Sequence, residues 1–242
     1  VRAGALALAL AAWALLAPAA GAGAARVDVR VEGPRSTLIE RPVRVAPGAL
    51  DGGDGSGAHP CSGPLGEPPR PSALGALDAA AAKAGVAWRG TWMPAFADFF
   101  LTRIGPWEAD AETGKYWTIL RNERITGGGC STPVRAGDRV VLAYGMLWRP
   151  YVLRLRGPER ARRCEPFTVR VRAVSLDPAA DPRVRPLAGV RVRRARTDRR
   201  GRATLVARRR GTAVLKARHT EAIPSNALAL RVGAAKRPCR GP

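Results

Sequence analysis

Short runs in which apolar and charged residues alternate, punctuated by glycine and proline, constrain this chain more than any other feature. Val27, Val29 and Val31 alternate with Asp28, Arg30 and Glu32, the period of a strand with one face buried and one in water. Gly33-Pro34 turns the chain, and Thr37-Leu38-Ile39 with Val43-Arg44-Val45 predicts a hairpin partner. The same alternation returns where Phe167, Val169 and Val171 face Thr168, Arg170 and Arg172, and again in Val190-Arg191-Val192-Arg193. Residues 116–121, 139–144, 152–155, 203–206, 212–217 and 227–232 read as further strands. Helical spacing marks one segment, where Leu74, Leu77 and Ala81 share a face over residues 73–84. Ser72 precedes it as an N-cap, Lys83 sits in its last turn and Gly85 ends it. Residues 47–71, rich in Gly, Pro, Asp and Ser, read as a long surface loop carrying Cys61.

The chain divides into two unlike halves. Residues 26–150 hold 15 basic and 13 acidic side chains, a net of +2, and residues 151–242 hold 25 and 6, a net of +19. Ten aromatic residues lie between Trp88 and Trp148, and beyond them come only Tyr151 and Phe167. Arginine outnumbers lysine 37 to 4, the mark of a genome rich in G and C, but a uniform codon bias would not split charge and aromatics this way. The boundary falls near Trp148-Arg149-Pro150. This predicts an α+β domain over residues 26–148, an antiparallel β-sandwich over 150–233 with its arginines outward, and a basic tail over 234–242.

Arg2, the apolar run of residues 3–17 and the small residues Ala22-Gly23-Ala24 have the form of a cleaved signal peptide over residues 1–24. The run is short of the roughly 20 apolar residues that a membrane span needs. The expectation is a secreted, extracellular protein without a transmembrane anchor after cleavage, released or held at the bacterial cell surface by non-covalent contacts. In that compartment Cys61, Cys130, Cys164 and Cys239 read as two disulfide bonds. Three pairings are open. If each half closes on itself, Cys61 joins Cys130 and Cys164 joins Cys239, each closing a loop of about 70 to 76 residues that is worth roughly 4 kcal/mol. A zinc site would need close-spaced ligands such as Cys-x-x-Cys, which the sequence does not offer.

The first half also resembles a known family. Val29-Arg30-Val31-Glu32-Gly33 with Thr37-Leu38, then residues 73–80, then Phe99, Leu101-Thr102-Arg103-Ile104-Gly105, Tyr116-Trp117 and residues 134–140 with Tyr144 resemble, in that order, the transcobalamin-like C-terminal domain. In bacteria this is a secreted domain of unknown function. The resemblance covers residues 26–148 and implies a β-grasp-like fold, one helix on a small sheet. Through His59-Pro60-Cys61 and Gly128-Gly129-Cys130 it implies the Cys61–Cys130 bond. In the vitamin carriers of the family this domain closes over cobalamin beside a helical barrel. The present chain has no barrel segment, so no cofactor is expected and cobalamin enters through the resemblance alone. The second half resembles bacterial immunoglobulin-like and carboxypeptidase-regulatory-like modules through residues 186–190 and 197–205. The expected fold is thus an α+β β-grasp-like domain followed by an all-β immunoglobulin-like sandwich.

Catalytic constellations are hard to assemble. His59 and His219, the two histidines, fall in different halves, and no serine stands in Gly-x-Ser-x-Gly, which leaves a secreted hydrolase a weak alternative. Glu108, Asp110 and Glu112 lie on a polar loop, better read as a solvated turn than as a glycosidase pair. Asp51-Gly52-Gly53-Asp54-Gly55-Ser56-Gly57 lacks the third-position oxygen and twelfth-position glutamate of a calcium loop and reads as a flexible linker. No metal ligand set is assigned. Two candidate surfaces remain. Trp88, Trp92, Trp107 and Trp117 could line a small-ligand site, a corrinoid by family resemblance, although aromatics equally serve a small core. Arg193, Arg194, Arg208, Arg209 and Arg210 could attract acidic surface polymers, which an exported protein meets more often than nucleic acid. The expected function is therefore non-enzymatic binding or adhesion.

Overall fold

A computed structural model describes residues 23–146, 149–177 and 184–235. The fold is mostly β, with one α-helix among the described residues. In chain order the first half contributes β1 (Ala25–Glu32), β2 (Thr37–Val45), β3 (Ala49–Asp51), β4 (Ala58–Pro60) and α1 (Ala73–Ala84). Then come β5 (Trp88–Met93), β6 (Asp98–Ile104), β7 (Trp107–Glu108), β8 (Trp117–Arg121), β9 (Arg124–Ile125) and β10 (Arg139–Tyr144). A five-stranded sheet runs in the order β2-β1-β10-β8-β9. Its central pair, β1 and β10, is parallel, with Val29 opposite Val140 and Val31 opposite Leu142. Parallel neighbours need a long crossover, and the chain between them supplies α1 and the hairpins.

The helix forms where the spacing places it. Ser72 Oγ accepts the Gly75 amide at 3.0 Å, and Gly85 ends the helix in the left-handed conformation (φ 65°), which glycine adopts without a Cβ penalty. Leu74, Leu77, Ala80 and Ala81 pack against Val27, Val29, Val31, Val43, Val45, Val140 and Leu142. The segment 47–71 is more structured than its composition predicts. Strands β3 and β4 pair as a hairpin, with Leu50 opposite His59. Asp51 and Asp54 accept the amides of Gly53 and Ser56, two local turns that supply the order a run of glycines lacks.

The second half contributes β11 (Tyr151–Arg156), β12 (Arg160–Arg162), β13 (Pro166–Ser175), β14 (Val184–Pro186), β15 (Arg191–Val192) and β16 (Ala195–Arg196). It ends with β17 (Arg202–Val206), β18 (Gly211–Leu215), β19 (Ala217–Arg218), β20 (Ala222–Ile223) and β21 (Leu228–Gly233). These form one sheet in the order β14-β13-β11-β20, with β17 also paired to β13, and two three-stranded sheets, β12-β21-β18 and β16-β15-β19. Val169, Val171 and Ala173 point into a core with Leu153, Leu155, Val192, Leu215 and Leu230, while Arg170 and Arg172 are exposed. Two pairings, β11 with β20 and β12 with β21, are parallel, so the half is not wholly antiparallel. Alternation fixes which face of a strand is buried but not the direction of its neighbour.

The two cores meet at a third. Leu120, Val141 and Ala143 on the sheet face opposite α1, with Met146 just past β10, pack against Val152, Val174, Leu176 and Ile223. This overturns one detail of the β1 pattern: Arg30 and Glu32, expected in water, are 7% and 0% exposed. Glu32 is compensated there. It accepts from Lys216 Nζ at 2.5 Å and Thr37 Oγ1 at 2.9 Å, with Arg30 Nε at 3.6 Å. Nearby, Glu123 receives both Arg139 and Arg154 through paired guanidinium bonds. Burial works to raise the Glu123 pKa, but these two guanidiniums outweigh it and hold the carboxyl below its ordinary value.

Candidate functional site

The five arginines singled out in the sequence come together. Arg193 and Arg194 form the tight connection between β15 and β16, and Arg193 has a positive φ of 52°. Arg208, Arg209 and Arg210 form the connection between β17 and β18. All five are exposed and line one groove of about 890 Å³, with Thr204, Leu205, Val206 and Thr212 along its wall. No acidic residue lines this groove, and among the described residues none of the five arginines is in a salt bridge. Val206 is 51% exposed beside them, leaving an apolar strip between two basic rims. Unneutralised charge on both sides of a concave surface concentrates the positive field where an extended anion could lie.

The four tryptophans do not converge. Trp88 and Trp92 belong to β5 and meet Phe99 edge-on, with ring centroids 5.9 and 5.0 Å away, and His59 stacks on Trp92 at 4.3 Å. Trp107 and Trp117 instead flank Tyr144 at 5.9 and 5.2 Å. Trp117 is buried, and Trp88, Trp92 and Trp107 pack partly buried against the helix-side core. Trp88 Nε1 donates to Asp78, tying β5 to the helix.

Cys61 and Cys130 form a disulfide bond with Cα atoms 4.5 Å apart. Beside it Asp98 is buried and gathers the Gly129, Cys130 and Ser131 amides and the Ser131 hydroxyl, fixing the glycine-rich approach to Cys130. Nothing local in the sequence marks Asp98, because the amides it gathers beside Cys130 lie more than 30 positions away. The expected Cys164–Cys239 pairing involves Cys239, which lies outside the described residues, as do nearly all of the expected signal peptide, Trp148 and most of the basic tail.

The loop of Asp54, Ser56 and His59 brings three residue types of a hydrolytic triad together in the wrong order. Ser56 Oγ contacts both Asp54 Oδ1 at 2.5 Å and His59 Nε2 at 2.9 Å, whereas a triad places the histidine between the serine and the carboxylate. The hydroxyl donated to Asp54 is not poised for transfer to His59. Bonds from the Ser56 hydroxyl and the Trp92 and Ser56 amides lower the Asp54 pKa to about 2, so its carboxylate serves the turn. No group of three or more metal-ligating side chains occurs among the described residues, and no helix there is long and apolar enough to cross a membrane. No family model, curated protein or solved structure matches the chain.

Proposed function

We propose that the protein is a secreted, non-catalytic binding or adhesive protein whose second half holds an acidic polymer, such as a teichoic acid or an acidic glycan, along the Arg193–Arg210 groove. One observation carries this reading: five exposed arginines from two separate connections line one groove that no carboxylate shares. The first half then acts as the structural partner. Its sheet order, parallel central pair and single covering helix support the β-grasp-like reading and the transcobalamin-like resemblance. The layered strands of the second half support the immunoglobulin-like reading. A corrinoid or other small ligand rests on the resemblance alone, because the tryptophans lie in two places.

The test is retention of the full chain on immobilised teichoic acid or heparin. Arg208, Arg209 and Arg210 lie on a surface connection, and replacing all three by serine should leave the fold intact, since surface substitutions change stability by only about 0.5 kcal/mol each. The variant should elute at lower salt than the parent. Equal retention of the two proteins would remove the groove from the account.

A further inference from the structure

A second basic cavity lies where the halves adjoin. In the sheet β16-β15-β19, Arg191 is directly opposite Arg196 on one side and Arg218 on the other. The next register row, Val192 with Ala195 and Ala217, packs into the core. Alternation along a strand therefore turns all three arginines to the opposite face. Residues directly opposite have Cβ atoms about 5 Å apart, and like charges there destabilise a sheet. The three line a cavity of about 550 Å³, completed by Arg35 from the β1–β2 turn, Arg149 from the connection between the halves, and His219. No aspartate or glutamate lines it, and among the described residues none of its five arginines is in a salt bridge. Arg196 and Arg149 donate to the carbonyls of Gly189 at 3.0 Å and His219 at 3.3 Å. Those bonds orient the guanidiniums without neutralising them.

We propose that this cavity is a binding site for a compact multivalent oxyanion of the phosphate or sulfate class. Guanidinium forks match the oxygens of such an ion two at a time, and a multivalent anion offsets the repulsion built into the Arg196-Arg191-Arg218 row. A larger neutral ligand would leave that repulsion in place. Because Arg35 comes from the first half and Arg191, Arg196 and Arg218 from the second, one bound ion would also tie the two halves together. The cavity and the polymer groove share no lining residue, so either can fail without the other.

The full chain, in a buffer of low ionic strength without multivalent anions, is titrated calorimetrically with inorganic phosphate and with sulfate, and its thermal unfolding is followed in parallel. The expected result is saturable one-site binding at millimolar concentration or below, with a rise in unfolding temperature as the site fills. The double variant R191S/R218S should bind at least about tenfold more weakly, since bonds between charged groups are lost. Without added anion it should unfold no lower than the parent, because like charges no longer face each other. R35S, in an exposed turn, gives a second reading should the double variant misfold, and it too should weaken binding. R208S/R209S/R210S should bind phosphate like the parent. Competition by a phosphomonoester would place the ion on a larger molecule, whereas inorganic phosphate binding without such competition would assign the free ion; both keep the site. Absence of saturable binding, or binding unchanged in both R191S/R218S and R35S, would overturn it.

Discussion

Glu32 shows how far one residue's environment can depart from its local pattern. Its neighbours Val29 and Val31 face the helix, and alternation puts Arg30 and Glu32 on the other side of β1. What alternation cannot convey is that the other side is covered by Lys216, 184 positions away. Removing one member of a buried ion pair costs more than the pair contributes, because the remaining charge is left without compensation. Lys216→Met should therefore lower the unfolding free energy by about 3 kcal/mol, measurable by urea denaturation at neutral pH. The same face gives a pH expectation through Glu123. Its folded-state pKa is depressed because Arg154 and Arg139 outweigh burial, so its contribution is present above the ordinary carboxylate range. The contribution is lost as pH falls through the folded value. E123Q should be less stable than the parent at neutral pH, and the difference should shrink as the pH is lowered; a constant gap would contradict the assignment.

At the scale of elements, segments with a strict period were legible and segments held by distant groups were not. The helix over residues 73–84 follows from Leu74, Leu77 and Ala81 between a serine cap and a terminating glycine, all local signals. The β3–β4 hairpin was hidden because its order comes from Asp51 and Asp54 turns and from His59 stacking on Trp92, a residue of another hairpin. The directions of β20 and β21 were equally hidden, since two- or three-residue pairings carry too little pattern to fix a neighbour. In the candidate groove, the basic runs were visible as composition, but the return of the β17–β18 connection to the β15–β16 turn is a property of the fold. Asp98 anchors the segment that delivers Cys130, accepting three of its amides. Asp98→Ala leaves these donors without their acceptor and should destabilise the protein by about 3 kcal/mol, since each bond to a charged group is worth about 1.5–3 kcal/mol and partial relaxation recovers the rest. Chemical denaturation under non-reducing conditions measures this with the Cys61–Cys130 bond intact.

On the scale of the whole molecule, charge is the organising quantity. The chain carries a formal +22, of which +19 falls in residues 151–242. The charges divide by their partners more than by position. Where the halves pack, Glu32, Glu40 and Glu123 meet Lys216, Arg139 and Arg154, so both signs are consumed in holding the structure together. The arginines of the groove meet no acid among the described residues, which is the condition for attracting one from outside. The proposed function requires that these five side chains bind an acidic polymer through charge. The affinity of the full chain for a soluble teichoic acid should be measured across a series of salt concentrations, beside that of R208S/R209S/R210S. Affinity of the parent should fall steeply as salt rises, because released counterions and screening both oppose the contact. The variant should bind more weakly at low salt and show a clearly shallower dependence, since three charges no longer take part. A salt dependence that is the same for both proteins, or absent in the parent, would contradict the account.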